Sequence, residues 1–124
     1  GTDNGNLGIT LNGSNNNSIL NIGTTRDASN YNYSLTATGN NNNITSTVNS
    51  KNTNDTIAIA GNNNTITTTQ IGASGSGAGA GHNIAINNIG NSNSISVSQD
   101  GTTNPNSAIV NLTGNNASVS VIQH

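Results

Sequence analysis

One pattern repeats five times along the chain and constrains its fold more than any other feature. Gly-Asn or Gly-Ser dipeptides stand at Gly13, Gly39, Gly61, Gly90 and Gly114, separated by 26, 22, 29 and 24 residues. Positions three, five, seven and nine beyond each glycine share one register. They read Asn16, Ser18, Leu20 and Ile22; Asn42, Ile44, Ser46 and Val48; Asn64, Ile66, Thr68 and Gln70; Asn93, Ile95, Val97 and Gln99; and Ala117, Val119, Val121 and Gln123. Positions six, four and two before each glycine form a second set. It reads Leu7, Ile9 and Leu11; Tyr33, Leu35 and Ala37; Asp55, Ile57 and Ile59; Ile84, Ile86 and Asn88; and Ala108, Val110 and Leu112. A period of two puts each set on one face of an extended strand. Asp55 fits its column poorly and marks either a strand edge or a slip of register.

Each unit is therefore strand, tight turn, strand, and Gly with Asn supplies the positive φ that such turns need. Five such units cannot bury a face singly, but stacked they can. The expectation is an all-β fold: a β-solenoid of five strand-turn-strand repeats, with two facing parallel sheets in cross-β stacking. It forms one repeat domain over 1–124, with approximate repeats 5–29, 30–52, 53–80, 81–103 and 104–124. The core is assigned to Leu7, Ile9, Leu11, Leu20, Ile22, Leu35, Ile44, Val48, Ile57, Ile59, Ile66, Ile84, Ile86, Ile95, Val97, Val110, Leu112, Val119 and Val121. Stacking also places Asn16, Asn42, Asn64 and Asn93, and Gln70, Gln99 and Gln123, in amide ladders along the axis. Linkers fall at Thr24–Ser29, Asn49–Asn54, Ala73–Gly81 and Thr102–Pro105. The third belongs to a low-complexity Gly/Ala/Ser insertion over 72–81, and Pro105 sits where it breaks no ladder.

Composition agrees with stacking rather than with a rounded core. Of 124 residues, 29 are Asn and only 24 are Ile, Leu or Val, with no Phe, Trp, Met, Cys or Glu. Disorder commonly pairs low hydrophobicity with high net charge, whereas this chain has six charged residues and a net charge of −2. Arg26 and Lys51 are the only basic side chains apart from histidine, so nucleic-acid binding lacks its electrostatic term, and Tyr31 and Tyr33 make a poor base-stacking platform. No apolar run is long enough to span a membrane as a helix. Cysteine is absent, which suits any compartment. No signal-peptide pattern is present, as is also the case in a mature secreted chain.

The ends of the stack carry the functional expectation. Segments 7–11 and 117–123 hold no charge and no Pro, the devices by which soluble β proteins blunt their edges. Both ends are expected to offer unpaired backbone to another copy, and a head-to-tail contact that does not close gives an open filament.

These motifs resemble the curlin repeat of bacterial functional amyloids, roughly S-x5-Q-x-G-x-G-N-x-A-x3-Q. Its Gly, Asn and final Gln match Gly61, Asn64 and Gln70, and again Gly90, Asn93 and Gln99; the fifth copy keeps Gly114 and Gln123 with Ala117 for Asn. The resemblance extends from Gly5 onward. The repeats are longer and more variable than that pattern: Leu11, Ala37, Ile59, Asn88 and Leu112 replace the first Gln, Asn15, Asn41, Asn63, Ser92 and Asn116 replace the second glycine, and Ile22 and Val48 replace the final Gln of the first two copies. The resemblance implies a secreted, cell-surface fibre of a biofilm matrix, with roles in adhesion and surface colonisation. It also implies a nucleator subunit, chaperones and export through an outer-membrane pore. The residues themselves point to no cofactor.

Catalysis finds no support. Asp3, Asp27, Asp55 and Asp100 are scattered, and no pairing of carboxyls follows from their spacing. His82 and His124 are lone and are expected at the surface or in a ladder. No convergent metal-ligand spacing appears. The glycine-rich stretch lacks the Gly-Lys-Ser/Thr of a phosphate loop, and Asn-x-Ser/Thr sequons such as Asn43–Thr45 are expected by chance in this composition. Two other readings remain. Outward Thr45, Thr47, Thr67 and Thr69, followed by Ser96 and Ser98, resemble the Thr ladders of ice-binding solenoids, although Ile19, Asn21 and Ile122 interrupt them. A fragment of a larger β-solenoid adhesin would also show bare ends.

Overall fold

The computed structural model describes residues 4–23, 29–72, 81–101 and 105–124. The insertion within 72–81 and most of the linkers at 24–29 and 102–105 lie outside the described residues, as do Asp3, Arg26 and Asp27. Among the described residues there are ten strands and no helix: β1 (Gly5–Asn12), β2 (Asn17–Ile22), β3 (Tyr31–Thr38), β4 (Asn43–Asn49), β5 (Asn54–Ala60), β6 (Thr65–Ile71), β7 (Asn83–Ile89), β8 (Ser94–Asp100), β9 (Ser107–Thr113) and β10 (Ser118–Gln123). Odd strands form one parallel sheet, β1-β3-β5-β7-β9, and even strands the other, β10-β8-β6-β4-β2. One odd strand, one turn and one even strand make a rung, and five rungs stack into a β-solenoid.

Pairing is in register throughout. Ile9, Leu35, Ile57, Ile86 and Val110 form one axial column, and Ser18, Ile44, Ile66, Ile95 and Val119 form its counterpart in the second sheet. The two inward faces meet in a thin core of Leu35, Ile44, Val48, Ile57, Ile59, Ile66, Ile84, Ile86, Ile95, Val97 and Val110, together with Tyr33, Ala37 and Ala108. Asp55 does not slip: it pairs between Tyr33 and Ile84 on the inward face and is buried.

The expected core is overextended at the outer rungs. Leu7, Ile9 and Leu11 point inward but remain 52%, 41% and 37% exposed, because no rung among the described residues covers that side. Leu20, Leu112, Val119 and Val121 are partly buried against the cluster, and Ile22 is also only partly covered. His82, expected at the surface or in a ladder, is fully buried, which excludes the surface.

The turns explain the glycines. Gly13, Gly39, Gly61, Gly90 and Gly114 have φ between 120° and 144°, and two residues later Asn15, Asn41, Asn63, Ser92 and Asn116 have φ between 56° and 58°. A Cβ at Gly61 would overlap the carbonyl oxygen of Gly90 in the next rung, and Gly13, Gly39 and Gly90 stand in the same relation to their successors. Gly114 has nothing within 4 Å on that side. A second corner escaped the sequence reading. Asn30, Asn52 and Gly81, each nine positions before a turn glycine, also have positive φ, and their backbones stack through Asn52 N–H to Ser29 O and Gly81 N–H to Lys51 O.

Gly61→Ala is expected to destabilise the fold by about 2–4 kcal/mol, combining φ strain with overlap. Gly114→Ala carries only the φ strain, about 1–3 kcal/mol. Chemical denaturation of the two variants measures the difference.

Candidate assembly faces and amide ladders

Tight turns leave backbone groups that neither sheet can pair, and buried groups of this kind must find partners. Two asparagine ladders supply them. In the inner ladder, each asparagine reaches forward to the next rung. The side-chain oxygens of Asn16, Asn42, Asn64 and Asn93 accept the backbone N–H of Asn42, Asn64, Asn93 and Ala117 at 2.9–3.0 Å. Their Nδ2 groups donate to the carbonyls of Gly39, Gly61, Gly90 and Gly114 at 2.7–2.9 Å. Asn42, Asn64 and Asn93 are buried. These bonds link side chain to backbone as well as amide to amide. They tie each turn to the next.

The outer ladder runs the other way. The side-chain oxygens of Asn40, Asn62, Asn91 and Asn115 accept the backbone N–H of Ser14, Asn40, Asn62 and Asn91 in the preceding rung at 2.7–2.8 Å. The sequence reading missed this column, although "GNNN" at 39–42 and 61–64 carries both asparagines. The glutamine ladder is shorter: Gln70 donates to Gln99 at 3.3 Å and Gln99 to Gln123 at 2.9 Å. Gln99 and Gln123 also cross the core to the carbonyls of Asn83 and Ser107. On the solvent side, Asn32, Asn54 and Asn83 form a further amide line along the first sheet.

The interior is partly polar. Tyr33 Oη and Ser46 Oγ lie 2.9 Å apart, and Thr68 Oγ1 donates to Ser46 Oγ at 2.9 Å. Burial raises the Tyr33 phenol above its ordinary range; the Ser46 bond opposes this and the nearby Asp55 adds to it. Gln70 Nε2 donates to Asp55 Oδ1 at 2.6 Å. Asp55 Oδ2 and Gln70 Oε1 have no partner. Burial pushes the Asp55 carboxyl up to about 7, with the Gln70 bond acting against it. His82 bridges two rungs: its Nδ1 accepts the Asn106 N–H at 3.2 Å and its Nε2 lies 3.2 Å from the Ile71 carbonyl. Nε2 therefore carries the proton in the neutral ring.

Among the described residues no three His, Cys, Asp or Glu side chains cluster to hold a metal, and no helix is long and apolar enough to cross a membrane. The features that stand out are the two end faces. One presents β1 and β2 with the exposed row Leu7, Ile9 and Leu11. The other presents β9 and β10 with Leu112, Val119 and Val121 partly covered and Gly114 open. The outward face of the second sheet aligns Thr45 with Thr67 and Thr47 with Thr69, followed by Ser96 and Ser98. Ile19 and Asn21 precede these columns, and Ser120 and Ile122 close them. No known family model, curated protein or solved structure matches the chain.

Asn64→Ala strands the Asn93 N–H and the Gly90 carbonyl, and is expected to cost about 2–4 kcal/mol in denaturant unfolding. Asp55 gives a pH dependence of definite sign. Its folded pKa lies above the unfolded value, so the folded state holds the proton more tightly. Its contribution is full below about pH 4, falls as pH rises toward 7, and is flat above that. Asp55→Asn should remove this slope. Stability at pH 8 should rise as well, because an amide can donate to Gln70 Oε1 while still accepting from Nε2. Unfolding curves at pH 5 and pH 8 check both.

Proposed function

We propose that the chain is a structural subunit that assembles head to tail into a cross-β fibre, a second copy continuing the stack of the first. The observation that carries this is the row Leu7, Ile9 and Leu11, each more than a third exposed on an otherwise uncharged strand. Continuing the rung register sets Ala108 on Leu7, Val110 on Ile9, Leu112 on Leu11 and Val121 on Leu20 of the next copy. That contact removes the exposed aliphatic row from water. The outer edges of β1, β2, β9 and β10 then pair as every internal edge does, which is strand addition at an open sheet edge. The glycine carbonyl of a further rung fits over Gly114 as Gly90's does over Gly61.

The wider setting rests on the resemblance to curlin repeats alone. It is an extracellular fibre of a biofilm matrix that serves adhesion and surface colonisation, with a nucleator, chaperones and a secretion pore as partners. Electron microscopy with fibre diffraction on desalted protein tests the assembly itself. Filaments with a meridional spacing of roughly 4.7 Å and an equatorial spacing of roughly 10 Å are expected, and a persistent monomer at high concentration overturns the reading. Ile9→Lys should leave monomer folding intact and abolish filaments, because it puts a charge in the contact. A persistent monomer would favour the ice-binding reading, for which the aligned threonines of β4 and β6 are the specific observation. Thermal hysteresis of wild type against Thr67→Leu would then decide it.

A further inference from the structure

Resting on that head-to-tail reading, we propose that Ala117 and Ser14 make the junction between two copies deliberately weaker than any junction inside a copy, by breaking both asparagine ladders at that one place. The two ladders have opposite directions. An inner-ladder asparagine reaches forward, so the amide that would leave the stack at its β9–β10 face belongs at position 117. That position is Ala, although its own N–H still receives Asn93 Oδ1 at 2.9 Å. An outer-ladder asparagine reaches backward, so the amide that would leave at the β1–β2 face belongs at position 14. That position is Ser, although its N–H still bonds Asn40 Oδ1 at 2.8 Å.

The outer rungs keep every ladder amide that points into the stack. Asn16 still holds Gly39 and Asn42, and Asn115 still holds Asn91. Only the two outward-pointing positions have lost theirs. In each ladder, the other four positions carry Asn. Both losses fall on one contact. When the β9–β10 face of one copy meets the β1–β2 face of the next, Ala117 offers nothing to the Asn16 N–H or the Gly13 carbonyl. Ser14 presents a hydroxyl on a shorter side chain where Asn115 would find an amide oxygen. The glutamine ladder stops there too, since Gln123 would meet Ile22, which has no acceptor. The strand edges, the turn backbone and the aliphatic columns are unaffected. The junction is therefore complementary in shape and register but deficient in axial side-chain bonds, which makes it the point where a fibre dissociates.

The experiment restores the ladders. Ala117→Asn, Ser14→Asn and the double variant are compared with wild type and with Ser120→Asn, which adds an amide to the same outer rung away from either ladder. The soluble concentration left after assembly reaches its plateau is measured by pelleting, and the mass of any soluble species by sedimentation equilibrium. Each restoring variant is expected to lower the residual soluble concentration about tenfold, the double more than either, and Ser120→Asn not at all. If wild type stays monomeric while the restored variants associate, the inference stands and the fibre reading of the natural chain falls. Restored variants that associate no more strongly than wild type, whether all form fibres or all remain monomers, overturn the inference.

Discussion

The axial hydrogen bond at the turn is the interaction on which the rest of this structure depends. Parallel strands pair their own backbones, but a tight turn at every rung leaves carbonyl and amide groups facing along the stack. Asparagine is the side chain short enough to stay within one rung spacing and able to donate and accept at once. The inner ladder uses both capacities, with oxygen to one backbone N–H and nitrogen to one glycine carbonyl. Glycine is the necessary partner, since any Cβ there would occupy the space of the next glycine's carbonyl. The strands can then remain in register, and register is what aligns the aliphatic columns. A chain with so little hydrophobic mass holds its form because identical turns repeat the same bonds.

The thin core tolerates polar groups where neighbouring rungs or the facing sheet supply partners. Tyr33, Ser46 and Thr68 form a chain of hydroxyls across two rungs, and His82 closes a corner through both ring nitrogens. The Asp55–Gln70 pair is the place where this arrangement is incomplete. Two acceptor oxygens are buried without a donor, and the proton that would complete the pair is held near neutral pH. Asp55 gives the stack a titratable weak point in its middle rung, while the weakness proposed at Ala117 and Ser14 is of a second kind. The first acts on folding and the second, on the proposed head-to-tail assembly, on association.

A solenoid without charge on its end rungs presents two surfaces that match each other by the same rule that matches neighbouring rungs within it. The faces are alike in register and aliphatic content, and they differ in the amides that point outward. On the proposed head-to-tail assembly, strength inside a subunit and reversibility between subunits are set separately, the first by ladder asparagines and the second by the two positions where a ladder would leave the molecule.

The alternation around five glycines was enough by itself to determine the strands, their inward columns and the parallel stacking, because a period of two and a repeated turn leave few other ways to bury so few aliphatics. The inner asparagines and the glutamines were legible for the same reason, each occupying a fixed offset from a glycine. The corner at Asn30, Asn52 and Gly81 was equally periodic but went unread, since the linkers around it vary in length and hide the offset. Only the tertiary structure decided that Asp55 keeps its register as a buried group and that His82 is internal. It also showed that Leu7, Ile9 and Leu11 belong to an end face rather than to the core. Burial depends on what lies above and below a rung, and a column read along one strand does not contain that neighbour. The opposite directions of the two ladders come from the same source: both are written with the same residue, and only the geometry of the turn decides which rung each asparagine reaches.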